Sequence, residues 1–206
     1  MLVKVCGMRD KENIQQVLSI APNYMGLIFY SKSPRYVGNE YQPHLCQNFA
    51  PTNKVGVFVN EPIESVLQKA ELFGLQTIQL HGNETPDYCK ELKSKGFAIF
   101  KAFGISNKTD FIACEEYTPF VNYFLFDTKS SNYGGTGIKF DWEILSGYNN
   151  NTPFLLSGGI TINDVETIKN ISHPKFIGVD LNSGFELKPA LKDIILLKKF
   201  IEEIKH

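Results

Sequence analysis

The sequence predicts an α/β protein folded as a single (β/α)₈ TIM barrel that spans residues 1–206. Eight short runs of β-branched and aromatic residues alternate with helical patterns along the whole chain. These units repeat at a spacing of about 25 residues, and no linker rich in Pro, Gly or Ser divides them. The alternative is a doubly wound open sheet. Its dinucleotide-binding form expects Gly-x-Gly-x-x-Gly after the first strand, where Gly7 stands alone.

The elements follow from local patterns. The runs that predict strands are, in order, Leu2–Cys6, Met25–Phe29, Lys54–Val59, Thr77–Leu80, Ala98–Ala102, Tyr123–Phe126, Phe154–Leu156 and Phe176–Val179. The segments that predict helices are Asp10–Ile20, Gln42–Phe49, Pro62–Phe73, Thr85–Lys93, Lys108–Glu116, Asp141–Ser146, Ile162–Asn170 and Pro189–Lys205. Pro62 and Pro189 suit a first helical turn, where the missing amide hydrogen costs little. Thr161 and Asp164 have capping-box spacing.

Composition excludes several classes of protein. Apolar residues make up 43% and charged residues 21%, as in globular proteins, so the chain is not disordered. The net charge of −1 gives no basic excess for nucleic acid, and no apolar run reaches the length of a membrane span. The four cysteines include no Cys-x-x-Cys pair, which argues against a zinc ribbon or a redox motif. With no signal-peptide pattern at the N-terminus, we expect a cytoplasmic enzyme with reduced thiols and a small-molecule substrate.

The parity of side chains along the strands predicts which residues face the barrel interior. Successive strand residues point to opposite faces, and the apolar set of each strand must pack on the helices. The opposite set then points inward, and in four strands it ends in polar residues: Lys4 and Cys6; Thr77, Gln79 and His81; Tyr123, Leu125 and Asp127; Gly178 and Asp180. Late positions lie at the carboxyl-terminal mouth, where barrel enzymes place their chemistry. A sheet with one solvated face is the alternative.

Glycine-containing loops after the last two strands predict a phosphate site. Strand 7 ends in Ser157-Gly158-Gly159 and is followed by a helix, and strand 8 ends in Asp180 with Asn182-Ser183-Gly184 beyond it. Glycine lets the backbone approach a ligand, and these two loops commonly build the phosphate site of a barrel. Turn glycines without a ligand are the alternative.

Two inward residues have side chains suited to acid–base chemistry. Cys6 ends the first strand, and Lys4 lies about 7 Å away on the same face, where its charge would favour the thiolate. Asp127 follows an apolar strand and would donate a proton if partial desolvation kept it protonated. The alternatives are a small buried cysteine and a capping carboxylate.

Other residues complete the candidate site. Arg35, after strand 2, is suited to binding a carboxylate, and His81 to orienting a substrate. The segment Thr128–Ile138 is the longest connection between strands and suggests a mobile lid. We expect Cys46, Cys89 and Cys114, in helical patterns, to be structural, and no His, Asp or Glu grouping has metal-ligand spacing.

Together these motifs resemble the phosphoribosylanthranilate isomerase family of tryptophan biosynthesis, in the same order along essentially the whole chain. The segments that carry the resemblance are Lys4–Met8, Tyr30–Val37, Val57–Asn60, Gln79–Gly82, Phe126-Asp127, Gly134–Gly137, Phe140–Trp142, Leu156–Gly159 and Val179–Glu186.

The resemblance implies an Amadori rearrangement of N-(5-phosphoribosyl)anthranilate that uses no cofactor and no metal. It implies that Asp127 is the general acid and Cys6 the general base. It places the anthranilate carboxylate on Arg35 and the phosphate on Gly158, Gly159, Ser183 and Gly184. The remaining predicted substrate-binding residues are Lys4, Gln79, His81 and Asp180. We expect either a monomer or a homodimer.

Two departures from the family pattern stand out. Ala190-Leu191-Lys192-Asp193 replaces the frequent Gly-Lys-Lys-Asp, and Arg9 occupies a position where a small hydroxyl residue is common. One rival function is the histidine-pathway isomerase, whose family has a pair of aspartates as acid and base, whereas this chain has Cys6 at the end of the first strand. Another is indole-3-glycerol phosphate synthase, which needs a catalytic Lys and Glu set that the matching places of this chain do not contain. A phosphosugar-binding barrel without turnover would need neither Cys6 nor Asp127.

Overall fold

Eight parallel strands close into a barrel in the computed structural model, which describes residues 1–38, 43–128 and 141–205. The strands are β1 (Leu2–Cys6), β2 (Tyr24–Ile28), β3 (Asn53–Phe58), β4 (Thr77–Leu80), β5 (Ala98–Ile105), β6 (Tyr123–Thr128), β7 (Phe154–Leu156) and β8 (Phe176–Leu181). Each strand pairs with its neighbour in sequence, and β8 returns to pair with β1. The predicted fold class is therefore confirmed.

Helices follow the strands along the described chain. The α-helices are α1 (Lys11–Ser19), α2 (Pro43–Cys46), α3 (Ile63–Phe73), α4 (Pro86–Ser94), α5 (Val165–Lys169) and α6 (Ile194–Lys205). The 3₁₀ helices are Lys108–Phe120, Trp142–Gly147, Ile162–Asp164 and Ser183–Phe185. The capping box of Thr161 and Asp164 is present, as its spacing predicted. Within the described residues, no helix is long and apolar enough to cross a membrane.

The predicted parity of the strands is confirmed. The outward residues Val3, Val5, Ile78, Phe124 and Phe126 are buried in the apolar layer between barrel and helices. The inward set includes charged side chains that are also buried, and β1 and β8 pair in a register that sets Lys4 beside Asp180. The polar interior is therefore a consequence of which face must pack on the helices.

The predicted helix start at Pro189 is wrong. Glu186–Lys188 (β9) and Leu191–Lys192 (β10) form a two-stranded antiparallel sheet, and α6 begins only at Ile194. Ala190 lies between these strands with a φ of 66°, in the left-handed region where glycine is favoured. That backbone conformation excludes a right-handed helix through this position, so the segment turns before the helix begins.

Other differences concern the extent and type of elements. The helix predicted over residues 42–49 ends at Cys46, and beyond it the Asn48 side chain accepts a hydrogen bond from the Ala50 amide in a turn. The segments near 108–116 and 141–146 are 3₁₀ helices, and β5, β6 and β8 extend beyond their predicted ends because strand pairing continues. The predicted lid lies outside the described residues apart from Thr128, which ends β6.

Candidate active site

An open cavity of about 720 Å³ lies at the carboxyl ends of the barrel strands. The predicted site residues that line it are Cys6, Gln79, His81, Asp127, Gly158, Gly159, Asp180, Ser183 and Gly184. Further lining residues include Tyr30, Ser33 and Asn182. Lys4 and Arg35 do not line it. Strand parity and loop position thus bring the two candidate catalytic side chains to one cavity.

The Cys6 thiol sits in a tight, charged environment. Lys4 lies below it inside the barrel with no exposed surface and donates a 2.8 Å hydrogen bond from Nζ to Asp180 Oδ1. Gly26 of β2 leaves room for the sulfur, because a Cβ at that position would lie 2.7 Å from Cys6 Sγ. The Cys6 thiol therefore lies between the buried Lys4–Asp180 ion pair and the backbone of Gly26, which has no side chain.

Lys4 favours the Cys6 thiolate, as its place on the same face predicted, but burial of the thiol has the larger effect. Burial raises the pKa of the Cys6 thiol, and the nearby Lys4 ammonium lowers it only in part. Burial lowers the pKa of Lys4, but the charge and hydrogen bond of Asp180, together with the contact to Cys6, outweigh it and raise that pKa overall. Desolvation thus dominates at the sulfur, while Lys4 stays charged and bound mainly to Asp180.

The raised pKa has a direct chemical consequence for alkylation. The thiolate reacts and the thiol does not, so alkylation of Cys6 by iodoacetamide should accelerate only at a pH above the usual range of a cysteine. The measurement is the rate of Cys6 modification against pH, read by peptide mass spectrometry. A short unfolded peptide containing Lys4–Met8 is the reference. A midpoint in the folded protein at or below that of the peptide contradicts the raised pKa.

Asp127 lies across the cavity near the end of β6 with about a fifth of its side chain exposed. Its Oδ1 accepts a 2.8 Å hydrogen bond from the Thr128 amide, and His81 Nε2 lies 3.4 Å from its Oδ2. A Cβ on Gly158 would lie 2.6 Å from Oδ1, so the glycine keeps the neighbouring loop in close contact with the carboxylate.

Gln79 contacts His81 inside the barrel, below the carboxyl-terminal mouth. The two side chains are linked by a 3.2 Å contact between Gln79 Nε2 and His81 Nδ1. Gln79 is 1% exposed, and its Oε1 has no hydrogen-bond partner among the described residues. A buried acceptor without a partner is costly, so this oxygen is suited to a hydroxyl or N–H donor of a bound ligand.

The loops after β7 and β8 lie against each other at one end of the cavity. Gly158 and Gly159 have φ values of 88° and 66°, which only glycine adopts readily. A Cβ on Gly184 would clash with the carbonyl oxygen of Ile160. These close approaches bring the four predicted phosphate-binding residues to the same part of the cavity wall.

Arg35 is bound to a carboxylate of the protein itself. Its Nη2 lies 2.7 Å from Glu186 Oε2, and its Nε lies 3.0 Å from both carboxylate oxygens. Burial raises the pKa of Glu186, but the hydrogen bond of Arg35 and the charge of Lys192 outweigh it and lower that pKa overall. Arg9, the other departure, donates from Nη1 to the Tyr36 carbonyl oxygen over 3.0 Å.

Three residues that shape this site were not predicted from the sequence: Gly26, Glu186 and Lys192. An isolated glycine inside a strand indicates close approach of another group, which is the signal that could have identified Gly26. Glu186 belongs to a motif that carries the family resemblance, but no local pattern indicates its partners.

Cys89 and Cys114 are buried, and desolvation raises their pKa values to about 11 and about 12, as expected for structural thiols.

Comparison with known proteins identifies the family. A family model described as N-(5′-phosphoribosyl)anthranilate (PRA) isomerase matches residues 3–203. The chain belongs to the PRA isomerase family. A relative named N-(5′-phosphoribosyl)anthranilate isomerase, from Parabacteroides distasonis, is 51% identical over 209 residues, covering 100% of this chain and 94% of the relative. The family resemblance drawn from the motifs is thereby confirmed.

Solved PRA isomerase structures share the fold. The enzyme from Thermotoga maritima has a TM-score of 0.86 and 32% identity, with 100% of this chain and 99% of that chain covered. A second structure, described as PRA isomerase in complex with reduced 1-(o-carboxyphenylamino)-1-deoxyribulose 5-phosphate, has a TM-score of 0.83 and 29% identity. It covers 100% of this chain and 98% of that chain.

Proposed function

We propose that this protein catalyses the Amadori rearrangement of N-(5-phosphoribosyl)anthranilate to 1-(2-carboxyphenylamino)-1-deoxyribulose 5-phosphate, a step of tryptophan biosynthesis. The observation that carries the proposal is that Cys6 and Asp127 line one cavity of a PRA isomerase barrel. A base and an acid facing the same space are what an aldose–ketose isomerisation needs. We expect the reaction to need no cofactor and to take place in the cytoplasm.

Asp127 begins the reaction in this proposal. Its carboxylic acid protonates the furanose ring oxygen, and the bond from that oxygen to C1′ breaks to leave a Schiff base. Cys6 first loses its thiol proton to water, and the thiolate then removes the proton from C2′ and leaves an enolamine. The enolamine then loses its C2′ hydroxyl proton to water and gains a proton at C1′ from water, which gives the ketone. The Asp127 carboxylate takes a proton from water to replace the one it gave to the ring oxygen, which offsets the proton that Cys6 released. No atom is gained or lost overall, and both side chains return to their starting states.

The remaining side chains bind and orient the substrate. Gly158, Gly159, Ser183 and Gly184 hold the phosphate at the loops after β7 and β8. The unpartnered Oε1 of Gln79 accepts a hydrogen bond from a sugar hydroxyl, with His81 between it and Asp127.

The ion pair beneath the thiol completes these assignments. Lys4 lies under Cys6 rather than in the cavity wall, so we assign it to holding Asp180 and to limiting the rise in the pKa of the thiol. Asp180 lines the cavity and is therefore the member of this pair that reaches the substrate.

Replacement of Gly26 tests the position of the base. A Cβ 2.7 Å from Sγ forces the thiol to move, so Gly26→Ala should reduce kcat by about 10- to 100-fold while KM changes little. The matched control is Gly56→Ala, a strand glycine whose Cβ would instead meet Leu75 Cδ1 at 2.5 Å. Both variants should lose stability by about 1–3 kcal/mol from overpacking. An equal loss of kcat in the two variants contradicts the positional role of Gly26.

The function itself is tested by anthranilate fluorescence. Freshly made phosphoribosylanthranilate is added to the protein, and the fluorescence is followed as the substrate is consumed. We expect loss of signal well above the uncatalysed rate, and formation of the ketose product by mass spectrometry and NMR. Absence of catalysed loss overturns the proposal. The histidine-pathway substrate, assayed in parallel, tests the rival isomerase.

A further inference from the structure

We propose that Glu186 is a positioning residue for Arg35, which holds one edge of the guanidinium so that another edge binds the carboxylate on the aromatic ring of the substrate. This inference rests on the proposed function, since it takes an anthranilate carboxylate as the ligand. It gives a role to a residue that lies outside the cavity wall.

The contacts between the two side chains leave part of the guanidinium available. An arginine has five N–H donors. Glu186 accepts from Nε and from Nη2, in the two-point geometry that fixes the plane of the guanidinium. Among the described residues, Nη1 has no hydrogen-bond partner. Arg35 thus keeps donors for a second carboxylate while Glu186 fixes its orientation.

Arg35 lies against the turn that follows the proposed base, just outside the residues that line the cavity. A Cβ on Gly7, the residue after Cys6, would lie 2.6 Å from Arg35 Cδ, and Gly7 has a φ of 78°. The Arg35 amide donates over 3.1 Å to Ser33 Oγ, and Ser33 lines the cavity. The arginine side chain therefore crosses the turn that follows the first strand, at the edge of the space that the substrate would occupy.

Glu186 is itself held in place by β10. Lys192 Nζ lies 2.7 Å from Glu186 Oε1, and both side chains are almost fully buried. The same ammonium donates over 2.8 Å to Oδ1 of Asn182, which lines the cavity. One lysine thus connects the Arg35 pair to the loop after β8.

The charges of this group suit the binding of an anion. Arg35, Lys192 and Glu186 together carry one net positive charge. A carboxylate from the substrate would balance it in a buried setting, where charge-assisted hydrogen bonds are strong. Loss of the Glu186 charge would have two opposite effects. The net positive charge of the group rises, which favours the binding of every anion. The guanidinium of Arg35 also becomes free to turn, which weakens the binding only of a ligand that needs its carboxylate held in a fixed position.

The experiment compares two ligands by calorimetry. One is reduced 1-(o-carboxyphenylamino)-1-deoxyribulose 5-phosphate, and the other is the same compound with an unsubstituted phenyl ring. The wild-type protein should bind the carboxylated ligand roughly 10- to 100-fold more tightly, as expected for charge-assisted hydrogen bonds. Glu186→Gln and Arg35→Met should each reduce this ratio to about threefold or less. The double variant should give the same ratio as Arg35→Met alone.

A second variant separates position from charge. Glu186→Asp keeps the net charge but shortens the side chain, so the two-point contact is lost and the ratio should also fall. If Glu186→Gln does not fold, as judged by thermal unfolding, Glu186→Asp takes its place in the measurement of the ligand ratio. The matched control is Glu166→Gln on α5, whose side chain is 79% exposed and should leave the ratio unchanged.

The outcomes distinguish this proposal from the proposed function. A wild-type ratio in both Glu186 variants overturns the positioning role, as does an equal loss of affinity for both ligands, which indicates a structural role only. A wild-type ratio near one also overturns it, because Arg35 then binds no carboxylate. The fluorescence assay is read separately: without turnover the proposed function fails, while the binding ratio still decides the role of Glu186.

Discussion

Replacement of Cys6 by alanine should reduce kcat for phosphoribosylanthranilate by about a thousandfold or more. Proton transfer by a positioned side chain contributes roughly 10²- to 10⁴-fold, and no other described thiol lines the cavity. Affinity for the reduced product analogue should change little, because the proposed role of the sulfur is to remove a proton and not to bind the phosphate or the carboxylate. Steady-state kinetics and calorimetry on the same preparation measure the two quantities.

Two companion variants show that the loss is chemical. Cys6→Ser keeps the size of the side chain but has a hydroxyl that is far less acidic than a thiol, so it should be as inactive as Cys6→Ala. Cys89→Ala removes a buried sulfur of α4 that lies outside the cavity, and should retain kcat even if the protein unfolds at a lower temperature. Substantial turnover by either Cys6 variant removes Cys6 from the role of base.

Replacement of Asp127 by asparagine should be equally severe, by about 10³-fold or more in kcat. The amide preserves the shape of the side chain, and its oxygen can still accept the hydrogen bond from the Thr128 amide. It has no acidic proton to give to the furanose ring oxygen, so ring opening fails. The measurement is kcat with a parallel determination of analogue affinity, which should stay near the wild-type value.

Asp87→Asn is the matched control for Asp127→Asn. Asp87 is an exposed residue in the first turn of α4 and lies outside the cavity wall. It should turn over substrate at the wild-type rate. Asp127 loses its assignment as the acid if its asparagine variant keeps more than about a tenth of the wild-type kcat, since a general acid contributes at least about 100-fold.

The strand pattern predicted much of the site because parity and strand ends are local properties. The order of the apolar and polar residues in β4 and β6 was enough to place Gln79, His81 and Asp127 in one barrel interior. The two glycine-containing loops were placed by their position after β7 and β8. Such predictions need only the alternation of side chains and the rule that parallel strands end at one mouth.

The predictions that failed depended on contacts that a local pattern does not contain. Pro189 looked like a helix start, but the left-handed turn at Ala190 and the pairing of β9 with β10 decided the conformation there. Lys4 was expected to favour the thiolate of Cys6, and it does lower the pKa of the thiol, but the sequence did not indicate how far burial would oppose it. The interior instead gave the lysine a closer partner in Asp180, and desolvation of the thiol outweighed its charge.

The sequence by itself determined the closed eight-stranded barrel, the inward set of polar residues and the mouth where Cys6 and Asp127 lie. These properties follow from the repeated strand–helix unit and from the alternation of side chains within each strand, both of which can be recognised in a short segment of sequence. Only the tertiary structure decided that Gly26 accommodates the thiol and that Glu186 holds Arg35. The latter pair is separated by 151 positions, and its geometry depends on closing the barrel and on burying Lys192 beside it. Long-range packing decides which charges meet, and therefore which donors remain for a ligand.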